Sequence, residues 1–361
     1  MSLSIGIVGL PNVGKSTLFN ALTRAGVLAA NYPFATIEPN VGIVPIPDPR
    51  VEKLAELFGS ARKVHAAVTF VDIAGLVEGA SKGEGLGNQF LANIREVDVI
   101  CHVVRAFESP GVVHVDEGLD PERDIGVIET ELALADLETI DRRLPKLERE
   151  STGDRALQPT AETLRRVREV VAGGDMVSRR PAVAILYDQH LRDLHLLTAK
   201  PVIYVFNMDE QGMTDHERQR ALADLVAPAQ ALFLDAQIES EMVDLDPEER
   251  RKMLAAIGQE ELGFDSVVRA AYQTLGLQSF LTVGEKESRA WTIRSGATAR
   301  EAAGVIHTDF QRGFIAAEVV DFERLVEAGS WPAARAAGQV RTEGKGYVMR
   351  PSDVVEFRFN V

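Results

Sequence analysis

The sequence predicts an α/β fold with a mostly parallel sheet, followed by a small α+β domain in the last part of the chain. Two observations carry this prediction. Short apolar runs alternate with helical patterns through the first part of the chain, as in successive β-α units. A glycine-rich loop joins the first of these runs directly to a helical pattern. The candidate strands are short, β-branched and bounded by turn residues: Ser4–Val8, Ala67–Val71, Val99–Val104, Val202–Phe206 and Leu232–Leu234.

Between the third and fourth candidate strands, apolar residues follow a helical period amid many charges. The pattern is interrupted at Ser151–Asp154, which predicts two long amphipathic helices joined by a polar turn. We expect an antiparallel hairpin that projects from the sheet; the alternative is a pair of surface helices packed on the domain. Six basic residues on these predicted helices allow two interpretations: they form a contact surface for a partner, or they are a solvated face. They are Arg142, Arg143, Lys146, Arg165, Arg166 and Arg168.

The last part of the chain has the pattern of a separate small domain. Ala290–Ile293 and Val354–Phe359 alternate or run apolar, as strands do. Between them, Thr298 and Glu301 have capping-box spacing before an apolar run, so a helix should begin there. We therefore predict a first domain over residues 1–278, with the helical insertion at about 126–198, and a second domain over residues 279–361.

Composition excludes several classes of protein. The 361 residues are too many for one core, and the formal net charge of -15 argues against general binding to nucleic-acid backbones. A single cysteine, Cys101, excludes an internal disulfide framework and fits a reducing compartment. No apolar run approaches the ~20 residues that span a bilayer, and the N-terminal pattern does not fit a signal peptide. We expect a cytoplasmic protein without membrane contact.

The segment Gly9–Thr17 matches the phosphate-binding P-loop pattern without a mismatch. It follows a candidate strand and precedes an apolar helical run, which is the context that this motif requires. The glycines allow backbone N–H groups to turn toward the β-phosphate, and Lys15 supplies a cation to the β- and γ-phosphate oxygens. The Ser16 hydroxyl is expected to bind Mg²⁺. The sequence therefore predicts a site for a nucleoside triphosphate.

Two further segments supply the parts that a triphosphatase needs. Asp72 follows the second candidate strand, where a carboxylate can hold Mg²⁺ through its water shell, and Gly75 can offer its N–H to the γ-phosphate. Thr36, in an upstream loop, is the expected second hydroxyl ligand of Mg²⁺. Leu76 stands where many GTPases have the glutamine that orients the attacking water. Because leucine forms no hydrogen bond with water, we expect slow intrinsic hydrolysis.

The residues after the fourth candidate strand bear on the choice of base. Guanine-specific P-loop proteins usually have Asn-Lys-x-Asp here, whereas this chain has Asn207, Met208, Asp209 and Glu210. Met208 replaces the lysine and can pack on either purine, and Glu210 replaces the guanine-reading aspartate. Asp209 lies one position earlier and leaves a guanine interpretation open. On balance the residues favour ATP over GTP.

Four segments together resemble YchF, the Obg-like ATPase family: Gly9–Thr17, Asn31–Asn40, Asp72–Gly87 and the variant Asn207–Glu210. Arg289–Ile293 and Gly346–Val361 are similar to the TGS domain of that family, a small β-grasp-like module. The resemblance runs essentially from end to end of the chain. This combination of motifs is far more specific than a P-loop alone.

The resemblance implies a Ras-like P-loop G domain, an inserted α-helical coiled-coil hairpin and a C-terminal TGS domain. It implies that ATP is preferred over GTP and that hydrolysis uses Lys15, Gly75 and His114, since His114 matches the position that the family is thought to use. Asn12 matches the position at which potassium-dependent relatives bind a monovalent cation, so K⁺ joins Mg²⁺ as an expected cofactor. The expected nucleotide-binding residues are Asn12, Val13, Gly14, Lys15, Ser16, Thr17, Asn207 and Met208.

The resemblance also implies a regulatory role on the ribosome, through its large subunit, its small subunit or both. Nucleic acid would then be contacted only through the ribosome. Two alternatives stay open at this point: a GTPase that acts in translation or ribosome assembly, and a binding scaffold whose fold is merely stabilised by nucleotide. Family members often have cysteine where this chain has Ala35, so thiol regulation at that position is not available here.

Overall fold

The computed structural model describes residues 3–29, 40–73, 86–108, 119–256, 259 and 261–360. Within these ranges the strands are β1 (Ser4–Val8), β2 (Val41–Pro45), β3 (Lys63–Val64), β4 (Ala67–Asp72), β5 (Val99–Ala106), β6 (Val202–Met208), β7 (Gln230–Leu234), β8 (Leu277–Val283), β9 (Ser288–Arg294), β10 (Phe314–Asp321), β11 (Arg341–Glu343) and β12 (Asp353–Phe359). The α-helices are α1 (Lys15–Ala29), α2 (Pro49–Phe58), α3 (Leu86–Glu96), α4 (Pro121–Gly153), α5 (Gln158–Ala172), α6 (Pro181–His190), α7 (Glu210–Thr214), α8 (His216–Val226), α9 (Ala236–Met242), α10 (Pro247–Ala256), α11 (Gly263–Thr274), α12 (Ala299–Ile306), α13 (Thr308–Arg312), α14 (Phe322–Ala328) and α15 (Trp331–Ala336).

The first sheet has the strand order β2-β4-β1-β5-β6-β7. β1 pairs in parallel with β4 and β5, and parallel pairing continues from β5 through β6 to β7. β5 and β6 are buried along their whole length, as parallel strands are when helices cover both faces. The predicted α/β fold with a mostly parallel sheet is therefore confirmed, and each of the five candidate strands is present. Of the six strands of this sheet, β2 is the one that was not predicted, because Gly42 and Pro45 break its strand pattern.

Helices α4 and α5 form the predicted pair. Arg168 Nε donates to Asp141 at 2.6 Å, and Arg165 Nε donates to Glu148 at 2.8 Å. The helices are antiparallel, because in these two pairs the later residue of α4, Glu148, contacts the earlier residue of α5, Arg165. The first half of α4 packs on the first sheet, whereas its second half packs with α5 in a separate apolar cluster. That cluster includes Ile140, Leu147, Ala161, Leu164, Val167 and Val171.

Most of the basic residues on this helical pair have acidic partners on the same two helices. The pairs are exposed, so each contributes little to stability. They nevertheless neutralise the cations locally, which favours a solvated face over a contact surface for an acidic partner. The ion pairs are Arg142–Glu138, Arg143–Glu150, Arg165–Glu148, Arg166–Glu162 and Arg168–Asp141.

The second sheet has the strand order β11-β10-β12-β8-β9-β3. β10 pairs antiparallel with β12, and β8 pairs antiparallel with β9. Helix α12 begins with the predicted capping box, since the Thr298 side chain accepts from the Glu301 N–H while the Glu301 carboxylate accepts from the Thr298 N–H. The buried cluster between α12 and the sheet contains Phe280, Ile293, Ala302, Val319 and Val355.

The described residues fall into two compact units. One lies within Met1–Ala25, Ala35–Gly42 and Thr69–Ala271, and the other lies within Gly26–Phe34, Ile43–Val68 and Tyr272–Val361. The second unit thus includes α2 and β3, whose pairing with β9 was not foreseen. The predicted domain limits, 1–278 and 279–361 with an insertion at about 126–198, stay a prediction. Among the helices described, none is long and apolar enough to cross a membrane.

Candidate nucleotide-binding site

The loop between β1 and α1 has a backbone that only glycine fits at two positions. Gly14 has a φ of +99°, and a Cβ atom added to it would lie 2.4 Å from Nδ2 of Asn207. A Cβ atom on Gly9 would lie 2.4 Å from the carbonyl oxygen of Val103. Both distances are shorter than any real contact of a Cβ atom. The two P-loop glycines therefore allow the loop to pass close to β5 and to the end of β6.

Lys15 is the buried cation of the site. Its Nζ donates to the carbonyl oxygens of Gly9 at 2.8 Å and Leu10 at 2.6 Å. Burial lowers the pKa of Lys15 to about 8, an effect that the nearby Asp72 carboxylate opposes. Burial in turn raises the pKa of Asp72, and the Lys15 ammonium opposes that shift. The Lys15 ammonium at the start of α1 and the Asp72 carboxylate at the end of β4 are therefore close enough to interact electrostatically.

The oxygen donors near Lys15 fit Mg²⁺. Ser16 and Thr17 are exposed in the first turn of α1, and Asp72 is half-buried at the end of β4, paired in register with Ile7. Hydroxyl and carboxylate oxygens are the ligands that Mg²⁺ prefers, with phosphate and water as the rest of its shell. Across the ranges described, no group of three or more His, Cys, Asp or Glu side chains is placed to hold a metal ion. The predicted residues Thr36, Gly75 and His114, like Leu76 and Ala35, lie outside the described residues.

Asn207 holds the loop to the rest of the site. Its Nδ2 donates to the carbonyl oxygen of Val13, and its Oδ1 accepts from the N–H of Ala236, each at 3.0 Å. The residue is 6% exposed, so both bonds are shielded from water. One amide therefore joins the P-loop, the end of β6 and the start of α9.

The next two residues have different environments. Met208 is 1% exposed and belongs to the apolar core beside the first sheet, because successive residues of a strand face opposite sides. Its Cε would lie 3.0 Å from a Cβ atom on Gly212, so the side chain packs on α7. Little of Met208 is free to cover a purine, and its part in nucleotide binding stays a prediction. Asp209 is the N-cap of α7, and Glu210 is exposed in the first turn of that helix.

A cavity of about 520 Å³ lies between these segments, a volume typical of a small-molecule site. Five of its lining residues were predicted from the P-loop and two from the β6 motif: Asn12, Gly14, Lys15, Ser16, Thr17, Asn207 and Met208, although Val13 does not line it. The sequence leaves Asp209 open as a guanine contact, and it gives no prediction for the other lining residues, which are Phe107, Glu108, Asp235, Ala236 and Gln237.

These five unpredicted residues follow the carboxyl ends of β5 and β7. In a parallel sheet these ends meet at one edge, and ligands bind there. The position of each residue just after a candidate strand was therefore the available signal. Their side chains belong to no known motif, so a motif could not indicate them.

This arrangement defines a P-loop nucleoside triphosphatase with a GTPase-type domain. Two family models agree: one described as a 50S ribosome-binding GTPase matches residues 4–142, and YchF-GTPase_C, described as a protein of unknown function (DUF933), matches residues 277–360. "Ribosome-binding ATPase YchF" of Bacillus subtilis is 47% identical, and that of Haemophilus influenzae 48% identical, each with 100% of both chains covered. The YchF GTPase structure from Schizosaccharomyces pombe matches with a TM-score of 0.86 and 34% identity, covering 99% of this chain and 98% of that one. The chain belongs to the YchF family, as its motifs predicted.

Proposed function

We propose that this protein is a ribosome-associated regulatory ATPase that binds ATP with Mg²⁺ and hydrolyses it slowly. The observation that carries the proposal is similarity over the full chain to proteins named ribosome-binding ATPase. The P-loop, the buried Lys15 and the Asn207 bridge support it, because they surround a cavity of nucleotide size. We further propose that the protein acts in the cytoplasm and contacts nucleic acid only through the ribosome.

The residues around the phosphates have distinct proposed tasks. Lys15, with a pKa of about 8, is mostly protonated at neutral pH and exchanges two carbonyl partners for β- and γ-phosphate oxygens. Ser16, Asp72 and Thr36 would hold Mg²⁺, which supplies positive charge to the same oxygens. Asn12, whose φ of 61° places it in the left-handed region, is the proposed ligand for K⁺.

Hydrolysis needs a water molecule in line with the γ-phosphate. Leu76 cannot orient it, so we assign that task to His114, because histidine transfers protons near neutral pH. The Gly75 N–H would donate to the γ-phosphate. This division of work gives slow turnover in the isolated protein.

ATP preference is tested by calorimetric titration of the full chain with ATP and with GTP, each in Mg²⁺. We expect tighter binding of ATP, because Met208 and Glu210 replace the guanine-reading pair. A GTP affinity equal to or above that for ATP would instead support a GTPase. That second candidate is favoured by the family model described as a 50S ribosome-binding GTPase, which matches residues 4–142.

Ribosome association is tested by co-sedimentation with purified ribosomes, with and without a non-hydrolysable ATP analogue. We expect the bound fraction to depend on the analogue. Lys15→Ala should abolish this dependence and lower hydrolysis at least ~10²-fold, since charge stabilisation at active sites has about that effect. Lys53→Ala, which removes an exposed lysine on α2, is the matched control. If the bound fraction of the wild type is the same with and without the analogue, the result would support the scaffold alternative.

A further inference from the structure

The segment that follows β5 forms one wall of the cavity. Phe107 and Glu108 line it; we call these two residues the base wall. Strand β5 holds the wall from one side, since Arg105 Nε donates to the Phe107 carbonyl oxygen at 3.2 Å and the Arg105 guanidinium lies 4.8 Å from the centre of the Phe107 ring. Arg105 is 6% exposed, so this support is well fixed.

Asp209 holds the base wall from the other side. Its Oδ2 accepts from the N–H of Glu108 at 3.3 Å, and its Oδ1 accepts from the N–H of Gly212 at 2.9 Å. The carboxylate thus joins the wall to the first turn of α7. A carboxylate is a suitable bridge here, because hydrogen bonds to a charged acceptor are stronger than those between neutral groups.

These contacts bear on the guanine interpretation that the sequence left open for Asp209. To read the guanine edge, a carboxylate must present both oxygens to the two N–H donors of one base. Each oxygen of Asp209 already accepts a backbone N–H, and the two donors belong to different segments. Turning the carboxylate toward a base would break the wall contact and the helix cap together.

We propose that Asp209 is a positioning residue of the nucleotide site, which fixes the base wall against α7 without contacting the base. The proposal rests on the proposed function, namely that this cavity holds a purine nucleotide. A wall that is already ordered loses less conformational freedom when the purine binds, so affinity rises. Asp209 has no described contact with Lys15, Ser16 or Asp72, so its loss should affect binding and leave the chemical step unchanged.

The test compares Asp209→Ala and Asp209→Asn in the full chain by titration with ATP and GTP and by steady-state hydrolysis. Asp209→Ala should weaken ATP binding about five- to tenfold, the factor that corresponds to the loss of one hydrogen bond, here the bond to the base wall. KM should rise accordingly while kcat changes little. Asp209→Asn keeps one acceptor oxygen, which can cap α7 but cannot also accept from the Glu108 N–H, so ATP affinity should stay close to that of Asp209→Ala while the cap of α7 is kept.

Asp321→Ala is the matched control, because Asp321 is the N-cap of the short helix α14 in the other compact unit and accepts from Glu323 N at 3.1 Å. We expect it to leave nucleotide affinity unchanged. Equal weakening by the control, unchanged ATP affinity in Asp209→Ala, or loss of GTP binding alone would each overturn the proposal; the last would show that Asp209 reads guanine.

The failure of the proposed function is separately visible in the wild type. A wild-type chain that prefers GTP refutes the proposed base choice, yet the ratio of variant to wild-type affinity still decides whether Asp209 positions the wall. A wild type that binds neither nucleotide overturns both proposals.

Discussion

Replacing Asn207 by alanine should destabilise the first compact unit and weaken nucleotide binding together, because one buried amide holds two backbone segments. The substitution orphans the carbonyl oxygen of Val13 and the N–H of Ala236, each bonded to Asn207 at 3.0 Å. A buried polar group without a partner costs about 1–3 kcal/mol. Two such groups predict a loss of about 2–6 kcal/mol in the free energy of unfolding, less where water enters the space.

Guanidinium denaturation followed by far-UV circular dichroism measures that loss. Tryptophan fluorescence is unsuitable, because both tryptophans, Trp291 and Trp331, belong to the second compact unit. Asn20→Ala, at an exposed position of α1, is the control and should change stability by no more than about 0.5 kcal/mol.

Calorimetry on the same proteins should show ATP affinity at least ~10-fold lower for Asn207→Ala, because the P-loop loses its attachment to α9. The reasoning fails if the free energy of unfolding of Asn207→Ala lies within about 1 kcal/mol of the wild-type value, which is the lowest cost of a single orphaned group, and the variant also binds ATP normally. A loss of stability without a loss of affinity would mean that the bridge supports the fold alone.

Three further predictions concern other parts of the chain. Gly14→Ala should cost more free energy of ATP binding than free energy of unfolding, because its Cβ atom would lie 2.4 Å from Asn207 Nδ2. Gly59→Ala controls for backbone strain, since Gly59 has a φ of +65° and a Cβ atom there would have no atom within 4 Å. Equal effects of the two substitutions would contradict the steric argument. His114→Ala should lower turnover roughly ten-fold or more with ATP affinity nearly unchanged; equal losses of rate and affinity would assign His114 to the fold, and an unchanged rate would leave the water without an assigned residue. The hydrogen bond to Glu52, at 3.0 Å, raises the pKa of His65, so this pair stabilises the fold fully below the unfolded pKa of His65 and loses its effect as pH rises through the raised value. His65→Ala should therefore lower the free energy of unfolding more at pH 6 than at pH 8.5, with a difference below about 1 kcal/mol because the pair is partly solvated; the same loss at both pH values would refute the ion pair.

The elements that could be predicted from sequence are those whose signal lies in consecutive residues. The P-loop is one, since its glycines, Lys15 and Ser16 follow one another between β1 and α1. The capping box at Thr298 is another, and so is the boundary between α4 and α5, although α4 continues to Gly153 through most of the turn predicted at Ser151–Asp154. In each case the physical cause acts within a few residues, so the pattern is sufficient.

Contacts between distant segments could not be predicted in the same way. β3, a strand of two residues, joins the second sheet by pairing with β9, and no local pattern announces it. The place of Met208 could not be predicted for a different reason. Asn207 and Met208 are neighbours in sequence, but strand alternation places the Asn207 side chain at the P-loop and the Met208 side chain in the core.

The class of fold, the P-loop and the family follow from the amino-acid sequence, because they depend on residue types at short, fixed spacings. How the cavity is closed depends on contacts between segments that are distant in the chain. The base wall after β5, the cap at Asp209 and the start of α9 approach one another because parallel strands end at a common edge. Which of their backbone N–H groups a given side chain accepts from depends on distances across that edge, and no spacing along the chain encodes such distances.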